Sequence, residues 1–215
     1  MKFTPAIGLV ALLGLGTSMP LLAQDTSMSF FITSENPGKG GDLGGLEGAD
    51  AYCQTLAENV GAGDKQWAAY LSTEEDGKRG ISARDRIGNG PWYNAKGVLI
   101  ANNLTELHVY NTTITEETAL NEKGEKINGR STKPTEHDIL TGTTEGGVAF
   151  RPDDEDHTCS NWTSSGEGSA QVGHHDRHGG GNVSWVSAHG SRGCGVDDFP
   201  KTGGAGLFYC FAVTE

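Results

Sequence analysis

Within a window of five residues, His174, His175, Asp176 and His178 set three imidazoles beside a carboxylate. Imidazole nitrogen and carboxylate oxygen are the donors from which protein zinc sites are built, so this window is a candidate metal set. In a regular strand His174 and Asp176 would share a face, and in a helix His174 and His178 would. Three glycines follow at 179–181, so the local sequence dictates neither geometry. His137, Asp138, His157 and His189 lie outside the window and can converge from neighbouring loops as ligand-binding residues. Trp162 and Trp185 join that candidate set, because sugars stack on exposed aromatic faces. Three uses of the histidines stay open: bracing a loop by hydrogen bonds, holding a structural zinc, or touching a ligand. Core packing is the alternative for Trp162 and Trp185, and it is the reading for Trp67 and Trp92.

Other chemistries find little support. The sequence has no GxSxG, HExxH or P-loop motif. Each of the four cysteines, Cys53, Cys159, Cys194 and Cys210, has a candidate partner, which leaves no thiol for nucleophilic attack. The chain is therefore expected not to be an enzyme. Arg84, Asp85 and Arg86 invite a catalytic reading, but a structural ion pair beside a turn explains them as well. The formal charge of −12 argues against nucleic acid and other polyanions as partners, and leaves neutral sugars, cations and basic proteins.

The N-terminal residues bear on compartment. Lys2, the apolar run Ala6 to Leu15 and the small residue Ala23 read as a secretory signal peptide over 1–23. Its removal takes the formal charge to −13, because Lys2 goes with it. No later stretch reaches the roughly 20 apolar residues of a transmembrane helix. A secreted, periplasmic or cell-surface location follows, and in that setting an even number of cysteines implies two disulfides, with three pairings open.

The elements that must position these residues are read from periodicity. After a short tail at 24–28, Met28 to Thr33 reads as a strand, and the glycine-rich Asn36 to Gly45 as a loop. Leu46, Ala49, Cys53, Leu56 and Val60 recur at spacings of three and four, one face of a helix that Gly61 ends. Trp67 to Thr73 is a strand, and a strand pair flanks the Ala95-Lys96-Gly97 turn. A hairpin is expected over Asn121 to Gly129, and a short strand over His137 to Thr143. Asp153 to Asp156 reads as a solvated turn, with a set of calcium ligands as the alternative. The continuous apolar run Gly206 to Val213 is expected to be a buried central strand. No repeat or second domain is expected.

In this order the elements resemble the C-type lectin-like fold, with an early helix bearing the first cysteine, a last strand bearing the fourth, and two cysteines bracketing a long loop. "CQTLAENVGAGDKQWAAYLST", Cys53 to Thr73, is most similar to the helix, loop and strand of endostatin, the C-terminal domain of certain collagens. "CSNW", the stretch Trp185 to Cys194 and "LFYCF" fit the same pattern, which secreted bacterial proteins labelled lectins share. The likeness covers Phe30 to Val213, more loosely over 101–150. It implies a single domain at 29–215 of α+β class: mixed, twisted antiparallel sheets, one or two flanking helices and a long disulfide-stapled loop region. It also implies the pairs Cys53–Cys210 and Cys159–Cys194, worth about 5 and about 4 kcal/mol on a loop-entropy scale. Sugar-binding members hold calcium through Glu/Gln-Pro-Asn/Asp and Trp-Asn-Asp triplets. Here Lys133-Pro134-Thr135 and Trp185-Val186-Ser187 stand in those places and lack the carboxylate or amide, so calcium is not expected there. The implied function is that of a secreted lectin-like protein recognising a carbohydrate or extracellular surface polymer. The endostatin likeness implies an alternative, a structural or adhesive protein-binding domain with a structural zinc.

Overall fold

The structure is a computed structural model that describes Met1 and residues 28–110, 113–180 and 182–214. Residues 2–23 of the expected signal peptide and 24–27 of the tail lie outside the described residues. Among the described residues no helix is long and apolar enough to cross a membrane.

The chain is α+β and mostly sheet. In order it forms β1 (Phe30–Ile32), α1 (Gly45–Asn59), β2 (Trp67–Ala69), β3 (Glu74–Glu75), β4 (Lys78–Arg79), β5 (Trp92–Tyr93) and β6 (Leu99–Ala101). Then come β7 (Asp138–Leu140), β8 (Gln171–His174), β9 (His189–Gly190) and β10 (Gly204–Ala212). The main sheet runs β1-β10-β7-β8-β9, with β2 also paired to β10. All of its pairs are antiparallel except β7–β10. β3–β4 and β5–β6 form two small antiparallel ladders.

β10 explains its own composition. Phe208, Cys210 and Ala212 point into a core beneath α1, whereas Leu207, Tyr209 and Phe211 point into a second, aromatic core on the other face. Because successive side chains alternate across a sheet, a strand covered on both faces needs apolar residues at every position. The expected central strand is therefore present, shifted by two residues at its start.

Of the face that the spacing predicts, Ala49, Cys53 and Leu56 are buried against the first core and Leu46 and Val60 pack on it partly buried, while Ala57 is buried as well. Gly61, at φ 79°, ends the helix, and the Gly61 and Ala62 amides donate to the carbonyls of Glu58 and Ala57. That is the left-handed glycine stop expected at this position. The turn at 95–97 joins β5 to β6, and the hairpin expected over 121–129 is a tighter turn in which the Asn121 amide donates to the Glu125 carbonyl.

Two disulfides close the fold, Cys53–Cys210 from α1 to β10 and Cys159–Cys194 across the histidine-rich excursion, and no described cysteine is free. Stable disulfides of this kind accord with an oxidising compartment outside the cytoplasm. The excursion begins with an unusual turn: Cys159, Ser160, Asn161 and Trp162 have φ of 49, 54, 56 and 66°. A left-handed conformation costs a non-glycine residue about 1–2 kcal/mol. The surroundings offset this. Asp156 Oδ1 accepts the Thr158 and Ser160 amides, Asn161 Oδ1 accepts the Glu74 amide at 2.7 Å, and the buried Trp162 indole N–H donates to the Ser72 carbonyl at 2.7 Å. Further on, Gly173 in β8 lies so close to the segment after 180 that a Cβ would stand 1.9 Å from the Trp185 carbonyl oxygen.

Candidate functional site

Strand register assembles the histidines. Asp138 and His174 are direct partners across β7–β8, so their side chains share a face. Val172 pairs with His189 across β8–β9, which puts His189 on the same face, diagonal to His174. His137 stands just before β7, and its ring stacks on that of His174 with centroids 4.3 Å apart. The result is a cluster in which Asp138 Oδ1 lies 3.2 Å from His137 Nε2, 3.3 Å from His174 Nε2 and 3.6 Å from His189 Nε2. His174 Nε2 and His189 Nε2 are 3.0 Å apart. His137, Asp138 and His174 are buried, and as a group they could hold a metal ion. The His189 side chain is 38% exposed and faces solvent.

The set His174, His175, Asp176 and His178 does not converge on one point. Only His174 reaches the cluster. Asp176 stands behind it: its Oδ1 is 3.2 Å from His137 Nδ1, and the carboxylate also accepts the Arg130 and His178 amides at 2.7 and 3.0 Å. Burial alone would raise the Asp176 carboxyl, but these hydrogen bonds outweigh it and hold the group well below the usual carboxylate range. His178 is exposed, with Nδ1 4.0 Å from Asp176 Oδ2. His175 is fully buried, and burial pushes it down to about 4. Neighbours in sequence are separated here because the chain turns immediately after β8.

The other candidates scatter. The His157 ring stacks on Phe150 at 3.8 Å, and its Nε2 lies 3.3 Å from Asp153 Oδ2, in a corner of its own. Trp162 and Trp185 are 0% and 4% exposed, so neither offers a face for a sugar to stack on. Trp185 packs instead between Tyr70 and Tyr209, and Trp67 and Trp92 are core residues as expected. Val186 and Ser187, in the second calcium-triplet position, are buried; the Thr141 hydroxyl donates to the Val186 carbonyl, and the Gln171 amide donates to Ser187 Oγ. The structural reading of Arg86 holds: its guanidinium meets Asp50 of α1 at 2.6 Å and donates to the Ala69 carbonyl. Asp85 is exposed.

Residues 182–186 border an open cleft of about 420 Å³ whose walls include His108, Val109, Glu145, Val183 and Trp185. Val109 and Val183 are among the exposed large apolar residues. His108 closes the inner end. Its Nδ1–H donates to the Leu104 carbonyl at 2.8 Å, and its Nε2 accepts the Tyr70 hydroxyl at 2.6 Å. Tyr70 is fully buried, which pushes its hydroxyl well above the usual range and keeps it a donor. Burial pushes His108 itself down to about 4. Sequence reasoning missed His108, since one histidine in a polar stretch carries no signal. A second cleft, of about 720 Å³, opens between Glu74–Lys78 and Phe150–Glu155 and is predominantly acidic.

No protein-family model matches the chain, and no curated protein does.

Proposed function

We propose that the chain is an extracellular recognition domain of C-type lectin-like type, exported by its N-terminal signal and binding a carbohydrate or surface polymer without the usual calcium-dependent sugar site. The observation that carries this reading is the cysteine pairing. The first cysteine, on α1, is tied to the last strand, and the two middle cysteines are tied across the excursion, which is the arrangement that the resemblance implies. A rigid sheet stapled in this way can present loops for recognition at little cost in stability. The cleft beside 182–186 is the ligand face. Its volume falls within the usual range for small-ligand sites, and its walls combine apolar valines with the Glu145 carboxylate, suiting a sugar's C–H faces and hydroxyls. Zinc, rather than calcium, is the ion that the histidine cluster would take.

A glycan and polysaccharide array tests this reading, run in chelator-free buffer with and without millimolar calcium so that any other ion stays in place. Binding to at least one glycan, unchanged by calcium, is expected, as is an unchanged melting temperature. Glycan binding that needs calcium would overturn the reading of the triplets. Binding confined to matrix or surface proteins would replace the proposal with a protein-recognition domain.

A further inference from the structure

We infer that His137, Asp138, His174 and His189 form a tetrahedral zinc site that ties the root of the excursion to the sheet. The inference stands independently of the lectin-like reading, because it rests on geometry at β7, β8 and β9 alone.

Distances carry the first part of the case. Zinc binds imidazole nitrogen and carboxylate oxygen at about 2.0–2.1 Å, so two ligands of a tetrahedral ion stand about 3.3 Å apart. Asp138 Oδ1 stands 3.2, 3.3 and 3.6 Å from the Nε2 atoms of His137, His174 and His189, and the last two nitrogens are 3.0 Å apart. His137, Asp138 and His174 thus bring donor atoms within 4.8 Å of one another, and His189 stands beside the Asp138 and His174 atoms as the fourth donor.

Unmet polar groups carry the second part. Both oxygens of Asp138 are buried and have no hydrogen-bond partner among the described residues. Two histidine nitrogens nevertheless lie within 3.3 Å of its Oδ1. The rings do not aim N–H groups at the carboxylate, and a buried carboxylate without hydrogen bonds is costly unless a cation meets it.

The groups behind the ligands supply the third part. His137 Nδ1–H donates to Asp176, and His189 Nδ1–H donates to the Gly190 carbonyl at 3.1 Å. Each hydrogen bond fixes the proton on Nδ1 and turns the Nε2 lone pair towards the cluster. A carboxylate or carbonyl behind a ligating histidine is the usual way a protein orients such a ring. Three nitrogen donors and one carboxylate suit zinc. They do not suit calcium, which takes six to eight oxygens. His189, half-exposed, leaves a path for entry.

The test uses the full mature chain, oxidised and without a histidine tag. Metal analysis after dialysis against zinc is expected to find one zinc per chain. A strong chelator should remove it and lower the melting temperature by many degrees, and zinc, but not calcium, should restore it. Cobalt in place of zinc should give the intense visible bands of a tetrahedral site. His174→Ala and His189→Ala should lose the bound zinc, whereas His178→Ala should keep it. Wild-type protein that takes up no zinc in a calorimetric titration and melts identically with chelator would overturn the site, whatever the variants do. Zinc retained by His189→Ala, or lost by His178→Ala, would overturn the ligand assignment.

Discussion

Replacing His108 by glutamine tests the inner wall of the cleft through its dependence on pH. In the folded protein burial holds the imidazole down to about 4, against an ordinary value of 6.5. Between those values the unfolded chain binds a proton that the folded chain refuses. The unfolded state therefore binds more protons, and stability rises with pH across this window and falls as pH drops through it. A separation of about 2.5 pH units corresponds to about 3 kcal/mol, nearly all of it lost by pH 4. From pH 7 to pH 4.5 the expected loss is about 2 kcal/mol after allowance for partial exposure. The assay is urea denaturation of wild type and His108→Gln at several pH values, both with chelator so that metal release is common to the two. At pH 7 wild type should be the more stable, because a glutamine side chain at this position cannot reproduce both the Leu104 and the Tyr70 hydrogen bonds. That advantage should shrink by about 2 kcal/mol at pH 4.5. A difference that stays constant from pH 7 to pH 4.5 would show that His108 takes its proton as readily folded as unfolded, and the reading of a buried neutral imidazole would fail.

Two further outcomes are expected. Arg86→Met should destabilise the fold by about 2 kcal/mol by leaving Asp50 and the Ala69 carbonyl without their guanidinium, while ligand binding stays intact; a variant as stable as wild type in urea would refute the structural role. Opening Cys53–Cys210 by a double alanine change should cost more than opening Cys159–Cys194, about 5 against about 4 kcal/mol at most, because the closed segment spans 157 residues rather than 35. Calorimetric melts of the two variants compare these costs, and the reverse order would remove the loop-entropy argument.

Periodicity made α1 and β10 legible, because a helix face and a doubly buried strand each write their burial into residues a few positions apart. The left-handed turn at Cys159–Trp162 has no such signature. "CSNW" contains no glycine, and contacts with Glu74, Ser72, Ser169 and Leu43, together with the neighbouring Asp156 and the disulfide, hold it in place.

The sequence by itself determined the helix with its glycine stop, the central strand, the acidic surface and, through the resemblance, the cysteine pairing. It also held every residue of the histidine cluster, but grouped them wrongly. His174, His175, Asp176 and His178 are close along the chain, yet they part on leaving β8: one enters the cluster, one is buried apart from it, one supports from behind and one faces solvent. His137 and Asp138, more than thirty residues earlier, and His189, fifteen later, take the vacated places. That choice belongs to the tertiary structure, because the pairing of Asp138 with His174 and of Val172 with His189 is a matter of strand register. Register follows from which faces of β7, β8 and β9 meet the cores, and no short window of sequence contains both sides of that contact.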